Sequence, residues 1–307
     1  MPKCILLSVH LLCFPLLASG QAIISYNVEN LFDTINDRNY HDEAFLPNGK
    51  YEFNAVRYWL KIRQTARALR LSIQASPTPP QIIALMEVEN QGVLFDLARS
   101  PALRDLGPWH PILFDSPDYR GIDCAALIHS NTRILNAEPI RYATDYFKTR
   151  DALFIRFRTP DSTTAQIIVV HLPSKRGGPK TSEIKRKIAL EAITHALDSV
   201  TTPTLLCGDF NTSPKPELRK YLNERGFELV PFRSTPLGTY KFKGRWSMLD
   251  WGVIRNGRAF AEILEIPELM KDDLKWGGTK PKRSWSGTFF TYGYSDHLPV
   301  YYLMSGY

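Results

Sequence analysis

The sequence predicts a mixed α/β fold organised as one domain, and three observations support that prediction. Short apolar and β-branched runs, bounded by Gly, Pro, Ser or Asn, recur along the whole 307-residue chain, as expected of buried strands. Two longer stretches with helical spacing of apolar residues lie between these runs. No low-complexity linker or internal repeat divides the chain. We therefore predict one folded domain over residues 21–307.

Residues 1–20 have the pattern of a signal peptide that is removed on export. Lys3 precedes an apolar run over residues 4–17, and residues 18–20 are the small residues that a signal peptidase requires. The run is shorter than the roughly 20 residues that span a bilayer, which favours cleavage over a membrane anchor. We expect an exported protein, periplasmic or secreted, without stable membrane insertion.

Six apolar runs of the remaining chain end in, or contain, Asn, Asp, Glu or His. In chain order these polar residues are Asn27 and Glu29, Glu87, His171, Asp209 and Asn211, Asp250, and Asp296 and His297. A single acid or histidine after a strand is explained equally well by turn capping. Six such places are hard to explain as independent turns, and enzymes often place their chemistry where buried strands end. The pattern favours one active site.

The two helical stretches are predicted to be structural. The first covers residues 54–73 and has a charged outer face. The second begins near Ser182 and carries an apolar stripe that should face a sheet. The stripe comprises Ile184, Ile188, Ala192, Ala196 and Val200.

Two cysteines remain once the signal peptide is removed. Cys124 and Cys207 both lie in apolar strands, which favours two small buried side chains over a disulfide. Export permits a bridge without requiring one. Stability should therefore come from the apolar core.

The chain is basic, with a formal net charge of +7. Lysines and arginines concentrate over residues 175–187 and 275–283. Such a charge favours polyanionic partners, whether nucleic acid, a phospholipid surface or small phosphates. For the lysines on the second predicted helix, a solvated basic face is an equally good explanation.

In this order, the six motifs resemble the endonuclease/exonuclease/phosphatase superfamily of metal-dependent phosphoesterases. The resemblance runs from Asn27 to His297, and its most specific parts are residues 208–211 and 295–300. Residues 26–33 and 171–178 resemble a secreted bacterial branch. The resemblance implies a DNase I-like, four-layer α/β-sandwich in which helices flank two packed mixed β-sheets.

The residues also suggest the metal. Carboxylate oxygens suit Mg²⁺, with Mn²⁺ as an alternative, and the sequence contains no Cys/His cluster with zinc spacing. The resemblance implies that Glu87 is the first ligand and Glu29 a second. It places Asn27 in contact with metal or phosphate, and Asp296 beside the metal.

The same resemblance assigns the chemistry. Asp209 would orient or deprotonate the attacking water, and Asn211 would hold the scissile phosphate. The two residues are two apart on what we expect to be an extended segment, so their side chains should point the same way. His297 would contact the phosphate or act as base, oriented by Asp250. His171 occupies the position of a proton donor to the leaving group.

Two positions bear on the substrate. Glu89 stands two residues after Glu87, where DNA-cutting relatives can carry a basic residue, and an acid there would repel phosphate. Arg120 precedes a glycine, as in the basic-Gly signature of lipid and inositol phosphatases, which makes it a candidate phosphate contact. A salt bridge from Arg120 to Asp118 or Asp123 explains it equally well.

The leading hypothesis is an exported, monomeric, Mg²⁺-dependent phosphodiesterase, most simply a nuclease that hydrolyses DNA or RNA. The first alternative is a phosphatase or phospholipase C-type enzyme acting on phospholipid or inositol phosphates. The second is a non-catalytic phosphate-binding module on the same fold. The complete set of expected site residues favours catalysis over the binding module.

Overall fold

The computed structural model describes residues 20–144, 147–159, 162–175, 178–197 and 200–306. Residues 1–19 of the predicted signal peptide lie outside these ranges, so export stays a prediction. Within the described ranges, no helix is both long and apolar enough to cross a bilayer.

The described residues form a β-rich chain with helices between the strands. The strands are β1 (Gln21–Leu31), β2 (Ile82–Val88), β3 (Trp109–Leu113), β4 (Asp123–His129), β5 (Arg133–Ile140), β6 (Ala152–Arg158), β7 (Thr164–His171), β8 (Thr204–Asp209), β9 (Glu228–Leu229), β10 (Tyr240–Phe242), β11 (Arg245–Ser247), β12 (Asp250–Arg255), β13 (Arg258–Ile263), β14 (Met270–Asp272), β15 (Thr279–Pro281), β16 (Trp285–Ser286), β17 (Phe289–Phe290) and β18 (Val300–Ser305). The α-helices are α1 (Ala55–Ala75), α2 (Gln91–Ala98), α3 (Pro101–Arg104), α4 (Pro179–His195) and α5 (Pro216–Asn223). Short 3-10 helices cover Glu43–Phe45 and Pro267–Leu269.

Two mixed six-stranded sheets form the centre of the fold. The first has the order β13-β18-β1-β2-β4-β3 and the second β5-β6-β7-β8-β12-β9. In each sheet one neighbouring pair is parallel, β1 with β2 and β7 with β8. Helices α1 to α3 pack on the outer face of the first sheet, and α4 and α5 on that of the second. The predicted four-layer α/β-sandwich is confirmed.

Both sheets are covered on both faces, which explains why the strands read as continuous apolar runs. In β1, Ile24 and Tyr26 face the helices, while Ile23 faces the second sheet. Cys124 and Cys207 also point into the layer between the sheets, and both are free thiols. The interpretation as small buried side chains is confirmed.

The first helix agrees with its prediction. Asn54 is the N-cap of α1 and accepts a hydrogen bond from the Arg57 backbone N–H at 3.2 Å. Satisfying one unpaired amide in this way fixes where the helix begins.

The second helix differs from its prediction in start and in face. Helix α4 begins at Pro179, a residue suited to the first helical position, rather than near Ser182. Ile184 and Ile188 of the predicted stripe are exposed. The face that packs on the second sheet comprises Ala189, Leu190 and Ile193. The buried face is displaced by about one residue from the predicted stripe, of which Ala192 and Val200 still pack against this core.

Strand direction brings the six polar motifs to one edge of the sandwich. The parallel strands β1 and β2 end there, as do β7 and β8, while the antiparallel β12 and β18 begin there. In the second sheet the register sets His171 and Asp250 on either side of Asp209. This edge is where the site is built.

Candidate active site

A cavity of about 600 Å³ opens at this edge of the sandwich. Eight of the ten predicted site residues line it, namely Glu29, Glu87, Arg120, His171, Asp209, Asn211, Asp296 and His297. The other two lie directly behind the lining. Asn27 donates to Asp209, and Asp250 is hydrogen-bonded to His297. The structure therefore brings all ten residues together.

Backbone strain positions several of these side chains. Glu29, Asn30, Glu87 and Asn211 all have φ between 53° and 69°, a left-handed conformation that non-glycine residues rarely adopt. The ladder register also shifts at Glu29 and Glu87, so both strands bulge where they reach the cavity. Strain of this kind concentrates at functional sites. The expected extended segment at Asn211 is wrong, although its side chain still lines the cavity with that of Asp209.

The Asp250–His297 pair is the best-defined ionic contact of the site. His297 Nδ1 lies 2.7 Å from Asp250 Oδ2, and both side chains are buried. Burial alone would lower the pKa of His297, but the carboxylates of Asp250, Asp209 and Asp296 outweigh it and raise the pKa well above its ordinary value. His297 is therefore an imidazolium at neutral pH. Its Nε2 lies 3.9 Å from Asp209 Oδ2.

Asp209 lies at the centre of the buried polar groups. Its Oδ2 accepts from Asn27 Nδ2 at 3.1 Å, and its Oδ1 accepts from the Asn211 backbone N–H at 2.7 Å. Burial, followed by the charge of Asp250, raises the pKa of Asp209 to about 7. A carboxylate with that pKa can take and release a proton near neutral pH.

Glu87 behaves in the opposite way. Burial raises its pKa, but the nearby cations Arg120, Arg150 and His297 outweigh burial, and the net pKa is lowered. Its Oε2 also accepts from the Asn30 backbone N–H at 2.8 Å. Glu87 is therefore ionised, as a metal ligand must be.

His171 lies close to a cation as well as to two carboxylates, its Nε2 being 3.6 Å from Asp209 Oδ2 and 3.7 Å from Glu87 Oε1. Arg150 Nη2 lies 3.2 Å from His171 Nε2, and Arg150 Nη1 lies 3.3 Å from Asp118 Oδ2. Burial, together with the charges of Arg150 and Arg120, lowers the pKa of His171 well below its ordinary value. Since Arg150 can only donate, His171 Nε2 must be the acceptor in this contact. His171 is a neutral imidazole at this position.

Two of the predicted metal ligands share one arginine. Arg283 Nη2 lies 3.0 Å from Asp296 Oδ2 and 3.4 Å from Glu29 Oε1. Glu29 Oε2 accepts from the Ser284 backbone N–H. Both oxygens of Glu29 are thus engaged by protein groups, whereas Asp296 keeps one oxygen turned toward His297, 3.9 Å from its Nε2.

A fully buried lysine holds this side of the site together. Lys61 Nζ donates to the backbone oxygens of Val28 and Tyr294 at 2.6 and 2.8 Å, and to Ser284 Oγ at 2.5 Å. All three ammonium hydrogens are thereby used, which is how a charged group is accommodated without water. Lys61 links helix α1 to the chain segments that carry Glu29 and Asp296.

The structure also places the two positions that bore on the substrate. Arg120 lines the cavity, its side chain donates to Asn30 Oδ1 at 3.2 Å, and its backbone N–H donates to Asp118 Oδ1 at 3.0 Å. Glu89 is buried and accepts from the Asp33 backbone N–H at 2.6 Å. Burial raises the pKa of Glu89 to about 8, so it is neutral at pH 7. Its burial, apart from the residues that line the cavity, weakens the expected repulsion of phosphate by Glu89.

The donor set fits a hard divalent cation. Glu87 and Asp296 present carboxylate oxygens to the cavity, and Mg²⁺ is typically bound by one or two carboxylates and water. Asn27 fits less well, because its Oδ1 already accepts from the Glu29 backbone N–H and its Nδ2 faces the carboxylates. Glu29 also lines the cavity, but both of its oxygens are engaged by Arg283 and the Ser284 backbone N–H.

A second metal arrangement is possible by distance alone. Ligand atoms of Asp209, Asp250 and His297 lie within 4.8 Å of one another. However, Asp250 and His297 already form a short ionic hydrogen bond, and a metal ligand must lose its proton.

Sequence reasoning missed several residues of the site. Arg150 follows no strand motif, and Lys61 lies on a helix whose other charged residues are exposed or half-buried. Tyr240, whose ring centroid lies 5.0 Å from that of His297, reaches the site from a short hairpin. The basic cluster over residues 175–187 contributes only Lys175 to the cavity lining among its described members. Arg186 is instead buried, donating to the Pro173 oxygen at 2.8 Å.

Two stacked mixed sheets flanked by helices, with carboxylates, an Asp–His pair and arginines at one edge, form a DNase I-like four-layer α/β-sandwich. The chain belongs to the Endonuclease/Exonuclease/phosphatase family, whose sequence profile matches residues 22–305. Members of this family hydrolyse phosphoester bonds and generally depend on a divalent metal.

The known proteins that are similar to the chain include nocturnins and a mannosyl-6-phosphatase. Nocturnin of Rattus norvegicus is 26% identical over 162 residues, which cover 49% of this chain and 37% of that protein. The chain thus aligns with well under half of this curated relative. The human nocturnin catalytic domain, solved with a bound sulfate anion, has a TM-score of 0.56 at 17% identity, covering 93% of this chain and 94% of that one. A mannosyl-6-phosphatase of Bacteroides thetaiotaomicron has a TM-score of 0.61 at 14% identity, covering 93% and 99%. At these identities the two structures show the shared fold.

Proposed function

We propose that this protein is a divalent-metal-dependent phosphodiesterase that hydrolyses nucleic acid outside the cytoplasm. The observation that carries the proposal is the meeting, in one cavity, of an ionised Glu87, a near-neutral-pKa Asp209 and a charged His297. Hydrolysis of a phosphate ester needs a positioned water, a base and stabilisation of phosphoryl charge. The localisation rests on the signal-like pattern of residues 1–20.

Asp209 is the group best suited to activate water. Its pKa of about 7 leaves a large ionised fraction at pH 7 to 8, and it remains basic enough to accept a proton. Asn27 and the Asn211 backbone N–H hold the carboxylate from two sides. The base is therefore fixed before substrate binds, which lowers the cost of reaching the transition state.

His297 is suited to stabilise negative charge. As an imidazolium fixed through Nδ1 by Asp250, it presents Nε2–H toward the cavity. A charged donor is worth most in a buried site, where water does not screen it. Arg120 and Arg150, which also line the cavity, add positive charge.

His171 is poorly suited to donate a proton to the leaving group. Its lowered pKa keeps it neutral, and Arg150 faces its Nε2. We propose that His171 instead holds Arg150 in position beside the phosphate. A metal bound by Glu87 and Asp296 would supply charge neutralisation at the phosphoryl and leaving oxygens.

The charge around the cavity favours a polyanionic substrate. Its lining includes five cationic side chains, Arg120, Arg150, Lys175, Arg245 and Arg283. Phosphate contacts from lysine and arginine supply most of the sequence-independent affinity for nucleic acid. A phosphatase of small phosphorylated molecules is the second candidate, because about 600 Å³ is also the size of a small-molecule pocket.

One assay separates these functions. Purified protein would be incubated with Mg²⁺ or Mn²⁺ and plasmid, single-stranded DNA, RNA, sphingomyelin, inositol phosphates or sugar phosphates, with EDTA controls. We expect metal-dependent cleavage of nucleic acid. Strong turnover of a phosphomonoester or lipid with no cleavage of any nucleic acid would contradict the proposal.

The metal role of Glu87 is tested by Glu87→Gln, which removes the charge with little change in shape. Turnover and Mg²⁺ affinity, the latter measured by isothermal titration, should fall together while the melting temperature in EDTA stays close to that of the native protein. Native Mg²⁺ affinity in the variant would remove Glu87 from the metal site.

A further inference from the structure

A short hairpin leads away from the reaction centre. Strand β10 begins at Tyr240, which forms a β-bridge to His297. Phe242 lies two residues further on and so projects from the same face of the strand as Tyr240. Phe242 and its cross-strand partner Arg245 both line the catalytic cavity. The hairpin therefore extends the site outward from His297.

The hairpin packs against the loop of residues 273–278. Lys241, which points to the other face of β10, donates to the Gly277 oxygen at 2.7 Å and pairs with Asp273 at 3.3 Å. At the hairpin tip, Gly244 lies so close to Trp276 that an added Cβ would meet the Trp276 Cβ at 2.9 Å. The two segments thus form one continuous surface.

We name this surface the aromatic-basic ridge. It comprises Phe242, Lys243, Arg245, Lys275 and Trp276. Its two rings stand in water, with Phe242 55% exposed and Trp276 52% exposed. Each ring has a lysine above it, because Lys243 Nζ and Lys275 Nζ lie 5.4 Å from the centroids of Phe242 and Trp276.

The chemistry of this surface indicates which ligand it would bind. Exposed rings are stacking platforms for nucleobases, and flanking cations attract the phosphates between those bases. Bases of an intact duplex are paired and stacked on each other, so they are not available to such rings. The feature that matches the ridge is an unpaired strand whose scissile phosphate lies in the cavity.

We propose that the aromatic-basic ridge binds single-stranded nucleic acid next to the scissile phosphodiester, with bases on Phe242 and Trp276 and phosphates at Lys243 and Lys275. The inference rests on the proposed nuclease function and names its substrate as an unpaired strand. The ridge selects single strands over duplexes, and it does so through stacking rather than through base-edge recognition.

The test measures binding and cleavage separately. Affinities for a fluorescein-labelled 12-nucleotide single strand and the matching duplex would be measured by anisotropy in EDTA, where cleavage is prevented. The variants are Phe242→Ala, Trp276→Ala and the double variant. Trp59→Ala is the matched control, since Trp59 is 55% exposed but lies on helix α1. Vesicles of phosphatidylcholine with and without phosphatidylserine form a third arm.

We expect each ridge variant to weaken single-strand binding about fivefold or more, since a base–aromatic stack is worth at least about 1 kcal/mol. Duplex binding should change less, and Trp59→Ala should bind like the native protein. Native single-strand affinity in the double variant would overturn the proposal. So would loss of vesicle binding with unchanged oligonucleotide affinity, which would make the ridge a membrane-docking surface.

Failure of the proposed function gives a different result. If the native protein binds the single strand through the ridge but cleaves no nucleic acid with Mg²⁺ or Mn²⁺, the proposed nuclease function is wrong and the proposed binding role of the ridge is supported. If it cleaves nucleic acid and the ridge variants bind the single strand normally, the proposed binding role of the ridge is wrong and the proposed nuclease function is supported.

Discussion

Two buried histidines lie close to the same carboxylate, and their pKa values are shifted in opposite directions. His297 Nε2 and His171 Nε2 lie 3.9 and 3.6 Å from Asp209 Oδ2. The second neighbour of each ring decides the difference, Asp250 at His297 Nδ1 and Arg150 at His171 Nε2. Asp250 raises the pKa of His297, whereas burial and the charge of Arg150 lower that of His171.

The comparison of the two histidines shows that residue type and distance to Asp209 are not enough to determine what a residue does in the site. His171 ends a buried strand, His297 precedes one, and both have a carboxylate nearby. The local sequence pattern therefore does not distinguish the two histidines. The charge of the neighbouring side chain makes the difference. The carboxylate of Asp250 keeps His297 charged, so that it can stabilise negative charge, whereas the cation Arg150 keeps His171 neutral, as a positioning group. The following predictions test that separation.

The largest effect is expected on the Asp250–His297 side. Asp250→Asn and His297→Ala should each lower turnover of nucleic acid by on the order of a hundredfold or more, the usual cost of losing a positioned charged group. Because the two residues act as a unit, the double variant should be little worse than either single variant. Steady-state kinetics on one substrate would measure all three.

The outcome that would contradict this unit is additivity. If the losses in the single variants multiply in the double variant, while all three proteins keep the native melting temperature, Asp250 and His297 work independently.

A smaller effect is expected on the Arg150–His171 side. In His171→Gln the amide oxygen can still accept from Arg150, so turnover should fall by only about tenfold, below the range of roughly 10² to 10⁴ expected for a general acid. His297→Gln is the matched control and should lose far more. Equal losses of a hundredfold or more in both variants would restore His171 as a proton donor.

The smallest effect concerns stability against pH, and its sign should be opposite for the two histidines. The raised pKa of His297 stabilises the fold fully below pH 6.5, and this stabilisation is lost as pH rises through the folded-state pKa. The lowered pKa of His171 stabilises the fold above pH 6.5, and this is lost as pH falls through its folded-state pKa.

Thermal melts of His297→Gln and His171→Gln in metal-free buffer between pH 5 and 9 would measure this. Relative to the native protein, His297→Gln should lose most at low pH and His171→Gln at high pH, with changes of about 2–4 °C for each 1 kcal/mol. Melting curves of the two variants that shift in parallel across the whole range would contradict the opposite signs.

Much of the fold could be predicted from the sequence, because buried strands leave a recognisable pattern of apolar runs along the chain. A sheet covered on both faces requires unbroken apolar runs, and the polar residues that interrupt them mark where strands end. Nine of the ten predicted site residues meet at one cavity for that reason, and the tenth, Arg120, was identified from the resemblance to the family. The resemblance to the family supplied the four layers.

The remaining features depend on tertiary contacts that leave little local pattern. The left-handed Asn211 and the rotated face of helix α4 are fixed by packing, since both extended and helical alternatives satisfy the local sequence. Lys61 and Arg150 are ordinary surface residue types whose burial depends on partners far along the chain. The charge of His171 could not be predicted, because Arg150 follows no motif.

The most direct test is nitrogen-15 NMR of the histidine side chains in the metal-free protein. At pH 7.5, His297 should show two protonated ring nitrogens, and His171 should be neutral with the proton on Nδ1. Assignment follows from the loss of each signal in His297→Gln and His171→Gln. Two neutral histidines that titrate together near pH 6.5 would contradict the account.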